Sequence, residues 1–302
     1  MEEKSTQELK TNRDIEHFIL STKGLYAEKS WLLDVWNQYA LDVTMSGHDR
    51  NILLDMVKER KRAQAPRIIT SQGVFNFESE EQRRMEVPKG TIAHLNLSGV
   101  MRSQGGLSTR GINELVNDLN FAFAHDNISG VLLEAKTGGG EATAGLMLKS
   151  ALENAPKPVV VHAHLLASAG IMGTLPADEI IGSGASAQMG SIGTYITFQK
   201  GFGEYYKSNY QDIYAGKSKN KNKSFRALIE GNLQVMQSEI DEFNELFLKD
   251  VKKYRDLKGN VEDTLSGAMF DAKKAKRRGL IHGIGGHQYA LKRLKSLIKL
   301  RT

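Results

Sequence analysis

With no cysteine in its 302 residues, the chain excludes disulfide staples, thiolate metal sites and cysteine nucleophiles, and at this length its core is large enough to need no staple. Lys and Arg number 41 against 35 Asp and Glu, a net charge of +6, but no zinc-finger spacing or aromatic RNA-binding motif accompanies the excess. Solvated surface accounts for it, and no nucleic-acid partner is expected.

Met1 to Asn12 is polar, with no apolar run behind it, so neither a signal peptide nor an anchor is expected and the location is read as cytoplasmic. From Asp14 to Ala63, apolar residues recur at helical spacing (Ile15, Phe18, Ile19; Leu32, Leu33, Trp36; Ile52, Leu53, Met56), which predicts a helical N-terminal extension. Pro66 to Pro88 reads as a connector with one hairpin, built from Ile68-Ile69 and Val74-Phe75. The pattern then alternates: strand over Thr91 to Val100, helix over Ser108 to Asp126, strand over Gly130 to Glu134, helix over Ala142 to Glu153. Repeated βα units predict an α/β fold with a mostly parallel sheet. Val159 to Val161, Glu179 to Gly182 and Ser191 to Thr197 add strands. A single long helix is predicted from Phe225 to about Leu257, its stripe running from Ile229 to Tyr254. The most apolar stretch, Val159 to Leu175, carries His162, His164 and Ser168 between Pro158 and Pro176, and is read as core rather than membrane span. Last comes a basic amphipathic helix, Tyr289 to Arg301, expected to dock on the domain.

Three stretches carry chemistry. Ser168 follows the β-branched run Val159 to Val161 and opens a helix, where a small hydroxyl can act as a nucleophile or simply cap the helix. Thr137-Gly138-Gly139-Gly140 ends another strand, and its bare backbone N–H groups can approach a substrate carbonyl, although a lone glycine triplet is more often a plain turn. Gly216 to Lys223 holds four lysines, a solvated basic loop or the source of an amine base. His162 and His164 project to one sheet face and offer a second candidate base, but no acidic partner at suggestive spacing supports a triad. Without His-Glu-x-x-His or a carboxylate cluster, no metal and no cofactor are expected.

These motifs, in this order, together with Gly99-Val100, Gly190 to Gly193, and Phe270 to Ala275 before Gly279-Leu280-Ile281, resemble the signal peptide peptidase A (protease IV) family. The resemblance spans about Gly90 to Gly286. It implies a ClpP/crotonase-like fold and a serine endopeptidase with a Ser/Lys dyad: Ser168 as nucleophile, Lys219 as base by register from Gly216, and Gly140 (with Gly139 as fallback) and Ala169 as oxyanion donors. Lys217 is the alternative register. An amine base must be neutral near pH 7, which takes burial or crowding by other cations. The chain departs from the family pattern at Gly138, where proline is usual, and at His282, where aspartate is usual.

With no membrane segment expected, the helical N-terminal extension makes the chain look most like the tailed-phage head-maturation branch. Scaffold or other head proteins would then be the substrates, inside a procapsid in the bacterial host, and the enzyme would be a homo-oligomer. An inactive capsid-assembly component, a housekeeping peptidase and a crotonase-type acyl-CoA enzyme are the competing readings. The implied organisation is an extension and connector over 1–88, the protease domain over 89–287, and the basic helix over 288–302.

Overall fold

A computed structural model of the protein describes residues 64–76, 87–105, 110–198 and 200–301, and the backbone of 25–27. The helices expected between Asp14 and Ala63 lie outside these residues, except that Leu25–Ala27 is a strand (β1) rather than helix.

Two short antiparallel strands, β2 (Arg67–Thr70) and β3 (Gly73–Asn76), form the hairpin expected in the connector. It is not free-standing: β2 pairs with β4 (Thr91–Ser98), so the hairpin forms one edge of the main sheet. Helix α1 (Ile112–Ala124) leads to β5 (Ile128–Thr137), β6 (Gly139–Glu141) and α2 (Ala142–Glu153). Then follow β7 (Val159–Ala167), α3 (Ala169–Thr174), β8 (Glu179–Gly182) and β9 (Gln188–Gly190). The sheet runs β10-β9-β7-β5-β4-β2-β3, with β10 at Met269–Asp271; β8 pairs with β7, and β11 (Gly283–Ile284) with β8. Its centre, β4-β5-β7, is parallel, as the βα repeats require.

Both faces of that centre are covered, which is why β5 and β7 read as nearly continuous apolar runs. Ala93, Leu95, Val131, Leu133, Val159 and Val161 pack with α1, α2 and α3 on one face. On the other, Ile92, Leu132 and Val160 meet Ala290, Leu291 and Leu294 of α9 (His287–Arg301). The basic helix thus forms one cover of the sheet. Each fully buried Leu, Ile or Val in these layers contributes about 1.5–3 kcal/mol relative to exposure.

Two further predicted elements differ. Ser191 to Thr197 is not a strand, because Gly190 (φ 140°) and Ser191 (φ 53°) turn the backbone out of the ladder after β9. The long helix is two: α5 (Lys223–Ile229) and α6 (Gln234–Tyr254), after α4 (Phe202–Asn209). The break is a Schellman cap at Gly231 (φ 76°), with Gly231 N–H bonded to the Leu228 carbonyl and Asn232 N–H to that of Ala227. The expected stripe therefore does not form one face: in α6 only Phe247 and Val251 are buried, and Leu233 and Leu246 stand half exposed or more. Short helices α7 (Val261–Thr264) and α8 (Ala272–Arg277) complete the fold. Among the described residues no helix is long and apolar enough to cross a membrane.

Candidate active site

Parallel strands deliver their C-terminal ends to one rim of the sheet, and β7 ends there on Ser168. The backbone leaves Ala167 in an extended ladder, Ser168 N–H still bonding the Gly190 carbonyl at 3.0 Å, and enters α3 at Ala169 with Met172 N–H on the Ser168 carbonyl. Turning from strand to helix in one residue forces Ser168 to φ 51°, ψ −122°. A non-glycine residue there costs on the order of 1–3 kcal/mol. The serine repays none of this as a cap, because its side chain makes no capping hydrogen bond. The plain N-cap reading fails on that geometry: a strained serine that satisfies no helix donor is placed for some other use.

The glycine turn lies beside it. Thr137, fully buried, donates its hydroxyl to the Gly99 carbonyl (2.7 Å) and accepts from Gly139 N–H (3.0 Å). This separates the two glycines expected to donate to an oxyanion: the N–H of Gly139 is committed within the turn. Met101 N–H bonds the Gly139 carbonyl (2.8 Å), and Glu141 N–H the Met101 carbonyl (2.9 Å), so Gly140 turns its own N–H and C=O the other way. That outward edge is where β1 runs, antiparallel, with Tyr26 opposite Gly140 and Ala27 opposite Gly139. Ala169 N–H, first in α3, has no intrahelical acceptor. Close packing brings α3 against the turn: a Cβ on Gly170 would lie 2.7 Å from Thr137 Cγ2, and one on Gly140 2.1 Å from the Met101 carbonyl oxygen. With φ 154° as well, Gly140→Ala should destabilise the fold by about 1–3 kcal/mol. Gly184→Ala, where a Cβ meets open space, should leave the melting temperature unchanged, and thermal melts of the two variants check this.

Lys219 lies at the surface, whereas Ser168 is buried. The lysine sits exposed in the turns between α4 and α5, its carbonyl accepting from the Arg226 guanidinium, which also lies over the Tyr214 ring at 4.8 Å. Lys217 is exposed in the same loop. Within one chain the serine and the glycine turn come together and the lysines stay at the surface. The segment carrying them is an outlying arm with its own aromatic cluster: Tyr206 packs on Phe225 (5.1 Å) and Phe225 on Phe202 (5.9 Å). Tyr205, Tyr210 and Ile213 are left exposed, the last at 92%.

The histidines have the acidic partner that sequence spacing did not reveal. Glu134 stands opposite His162 across β5 and β7, and its Oε1 accepts from His162 Nδ1 (2.8 Å) and His164 Nε2 (2.7 Å). His162 Nε2 lies 3.0 Å from the Gly285 carbonyl. With acceptors at both nitrogens, His162 has none left to serve as base for Ser168. Burial alone would lower its pKa, but the Glu134 carboxylate raises it. Burial alone would raise that of Glu134, and the surrounding histidines hold it well below the usual carboxylate range. His282, where the family has aspartate, is structural: its Nδ1 accepts from Ile180 N–H at 2.9 Å.

Sequence reasoning missed Met101, which pins the glycine turn, Arg226, which holds the lysine loop, and Glu134. No local motif marks the first two; Glu134 could have been found by laying the neighbouring parallel strands in register.

Residues 151–301 match Peptidase family S49. Over 188 residues the chain is 32% identical to "Putative protease MJ0651" of Methanocaldococcus jannaschii. That match spans 60% of this chain and 60% of the curated relative's length. Among solved structures, a mutant of the 1510-N membrane-bound stomatin-specific protease is similar at TM-score 0.44 and 14% identity, over 68% of this chain and 84% of that one. An enoyl-CoA hydratase/isomerase family protein from Silicibacter pomeroyi reaches TM-score 0.41 and 13% identity, over 72% and 80%.

Proposed function

The chain belongs to peptidase family S49, and on that premise we propose that it is a serine endopeptidase in which Ser168 attacks the scissile carbonyl and Lys219 of an adjoining copy takes the serine proton. The observation that carries this reading is the strained backbone of Ser168 at the strand-to-helix turn, which presents a hydroxyl with no structural duty beside the glycine turn. As the tetrahedral intermediate forms, its oxyanion is received by Gly140 N–H, the one the turn leaves outward, and by Ala169 N–H. Removing one such donor typically costs roughly 3 kcal/mol of barrier. The direct N–H contact matters more than the helix dipole here, because α3 is only six residues long. The protonated lysine then returns its proton to the leaving amine, and water repeats the sequence on the acyl-enzyme.

On this reading the lysine comes from an adjoining copy, because within one chain Lys219 stands exposed in the turns between α4 and α5. Burial of the arm against a second copy would desolvate Lys219 and cover Tyr205, Tyr210, Ile213 and Leu233 together. A peptide substrate would lie extended along β6, in the place that β1 takes. On this reading β1 competes with substrate. Tyr26→Pro, which removes a backbone donor from that pairing, should lower KM for added unfolded substrate several-fold with kcat little changed; an unchanged KM in a casein assay would show that β1 and substrate do not share the edge.

At a finer level, the substrates are scaffold and head proteins of a tailed-phage procapsid, a reading supported only by the N-terminal extension expected from the sequence and by the lack of an expected membrane segment. Two experiments test the proposal. A fluorophosphonate should label Ser168, located by mass spectrometry; no label on folded protein means an inactive assembly component. Incubation with the scaffold protein of the neighbouring genes should give defined fragments; digestion of short peptides with scaffold left intact means a housekeeping peptidase.

A further inference from the structure

On the sheet face away from α1, α2 and α3, four histidines from two strands and one helix converge on Glu134 of β5: His94 of β4, His162 and His164 of β7, and His287, the first residue of α9. The two oxygens of the carboxylate are used differently. Oε1 is taken up by hydrogen bonds from His162 and His164, and His162 is anchored in turn on the Gly285 carbonyl. Oε2 is buried without a hydrogen-bond partner, and so is Nε2 of His94, a residue only 9% exposed.

These two atoms face each other at 3.7 Å, and His287 Nδ1 lies 3.7 Å from the same Oε2. That is too long for a hydrogen bond. It is close to the separation of about 3.4 Å between donors that share a tetrahedral metal ion with bonds near 2.1 Å. Leaving two buried polar atoms unpaired and aimed at one another is unfavourable, and a cation between them would satisfy both.

We infer that His94 Nε2, Glu134 Oε2 and His287 Nδ1 form a binding site for one divalent transition-metal ion, of which Zn²⁺ is the natural probe. Two imidazoles and one carboxylate suit a borderline ion rather than Mg²⁺ or Ca²⁺. Three protein ligands leave a fourth position for water. His162 and His164 do for the carboxylate what outer partners do at metal sites, fixing its orientation through the oxygen the metal does not use. The ion can enter from solvent beside the partly exposed His287. Bound there, it ties the start of α9 to β4 and β5, clamping the basic C-terminal helix onto the sheet. Ligands on three separate elements leave no spacing motif in the sequence.

The test uses the full chain, stripped with EDTA, dialysed and titrated with Zn²⁺ by calorimetry, with Co²⁺ as a spectroscopic substitute. Expected are one Zn²⁺ per chain, a melting temperature raised by several degrees, and the intense visible absorption of four-coordinate Co²⁺. His287→Ala changes a half-exposed helix-start residue and should fold; it is expected to weaken Zn²⁺ binding by more than about tenfold. Glu134→Gln should weaken it further, and Ser168→Ala should leave it unchanged, which separates this site from the proposed protease centre. A Zn²⁺ dissociation constant weaker than about 100 μM, or tight binding that survives both His287→Ala and Glu134→Gln, would overturn the site.

Discussion

Ser168→Ala is expected to cut hydrolysis of an unfolded protein substrate by at least about a thousandfold while the far-ultraviolet circular dichroism and melting temperature stay as in the parent. The fold loses little because the Ser168 hydroxyl caps nothing. Alanine inherits the strained φ of 51°, so the strain remains. Ser168→Gly sharpens the point. Glycine adopts that conformation freely, so the variant should lose the same activity yet melt no lower than the parent, and higher if the strain relieved exceeds the roughly 0.4–1 kcal/mol of added chain entropy in the unfolded state. A serine retained for stability gives the opposite result, a lower melting temperature with activity intact, and that outcome would sink the nucleophile assignment.

How legible this was from sequence depends on the range of the forces involved. The β-branched run Val159 to Val161 and the helical period of Ala142 to Glu153 are local, and both elements lie where expected, β7 extending further to Ala167. The turn at Thr137 to Gly140 is local too, but its lock is not: Met101 pairs with Gly140 across 39 residues, and only that pairing decides which glycine N–H faces outward. The Schellman cap at Gly231 was readable in principle, but apolar residues on either side, Ile229 and Leu233, keep helical spacing through the break and hide it. A three-residue strand such as β1 is too short for any period to register. The cluster at Glu134 depends on strand register and on where α9 begins, so the histidine alternation on β7 was visible and its partner was not.

Lys219→Ala should match the loss seen with Ser168→Ala, whereas Lys217→Ala keeps most activity, since a single amine can stand within hydrogen-bond reach of the serine. If Lys217→Ala is the dead variant instead, the register is off by two residues. The sharper experiment mixes the two dead proteins. Ser168 is 2% exposed at the sheet rim, and the arm holding Lys219 is exposed, with Ile213 and Leu233 uncovered. If that arm is buried against a neighbour, each site takes its serine from one chain and its lysine from the next. In an equal, freely exchanging mixture of Ser168→Ala and Lys219→Ala chains, half the chains hold a serine and half of their neighbours hold a lysine. About a quarter of the sites are then complete, and the mixture should recover that share of parental activity. No recovery after exchange, verified by native mass spectrometry of mixed oligomers, would mean that serine and lysine meet within one chain. A parent protein that is monomeric by light scattering at micromolar concentration and fully active would remove the shared site altogether.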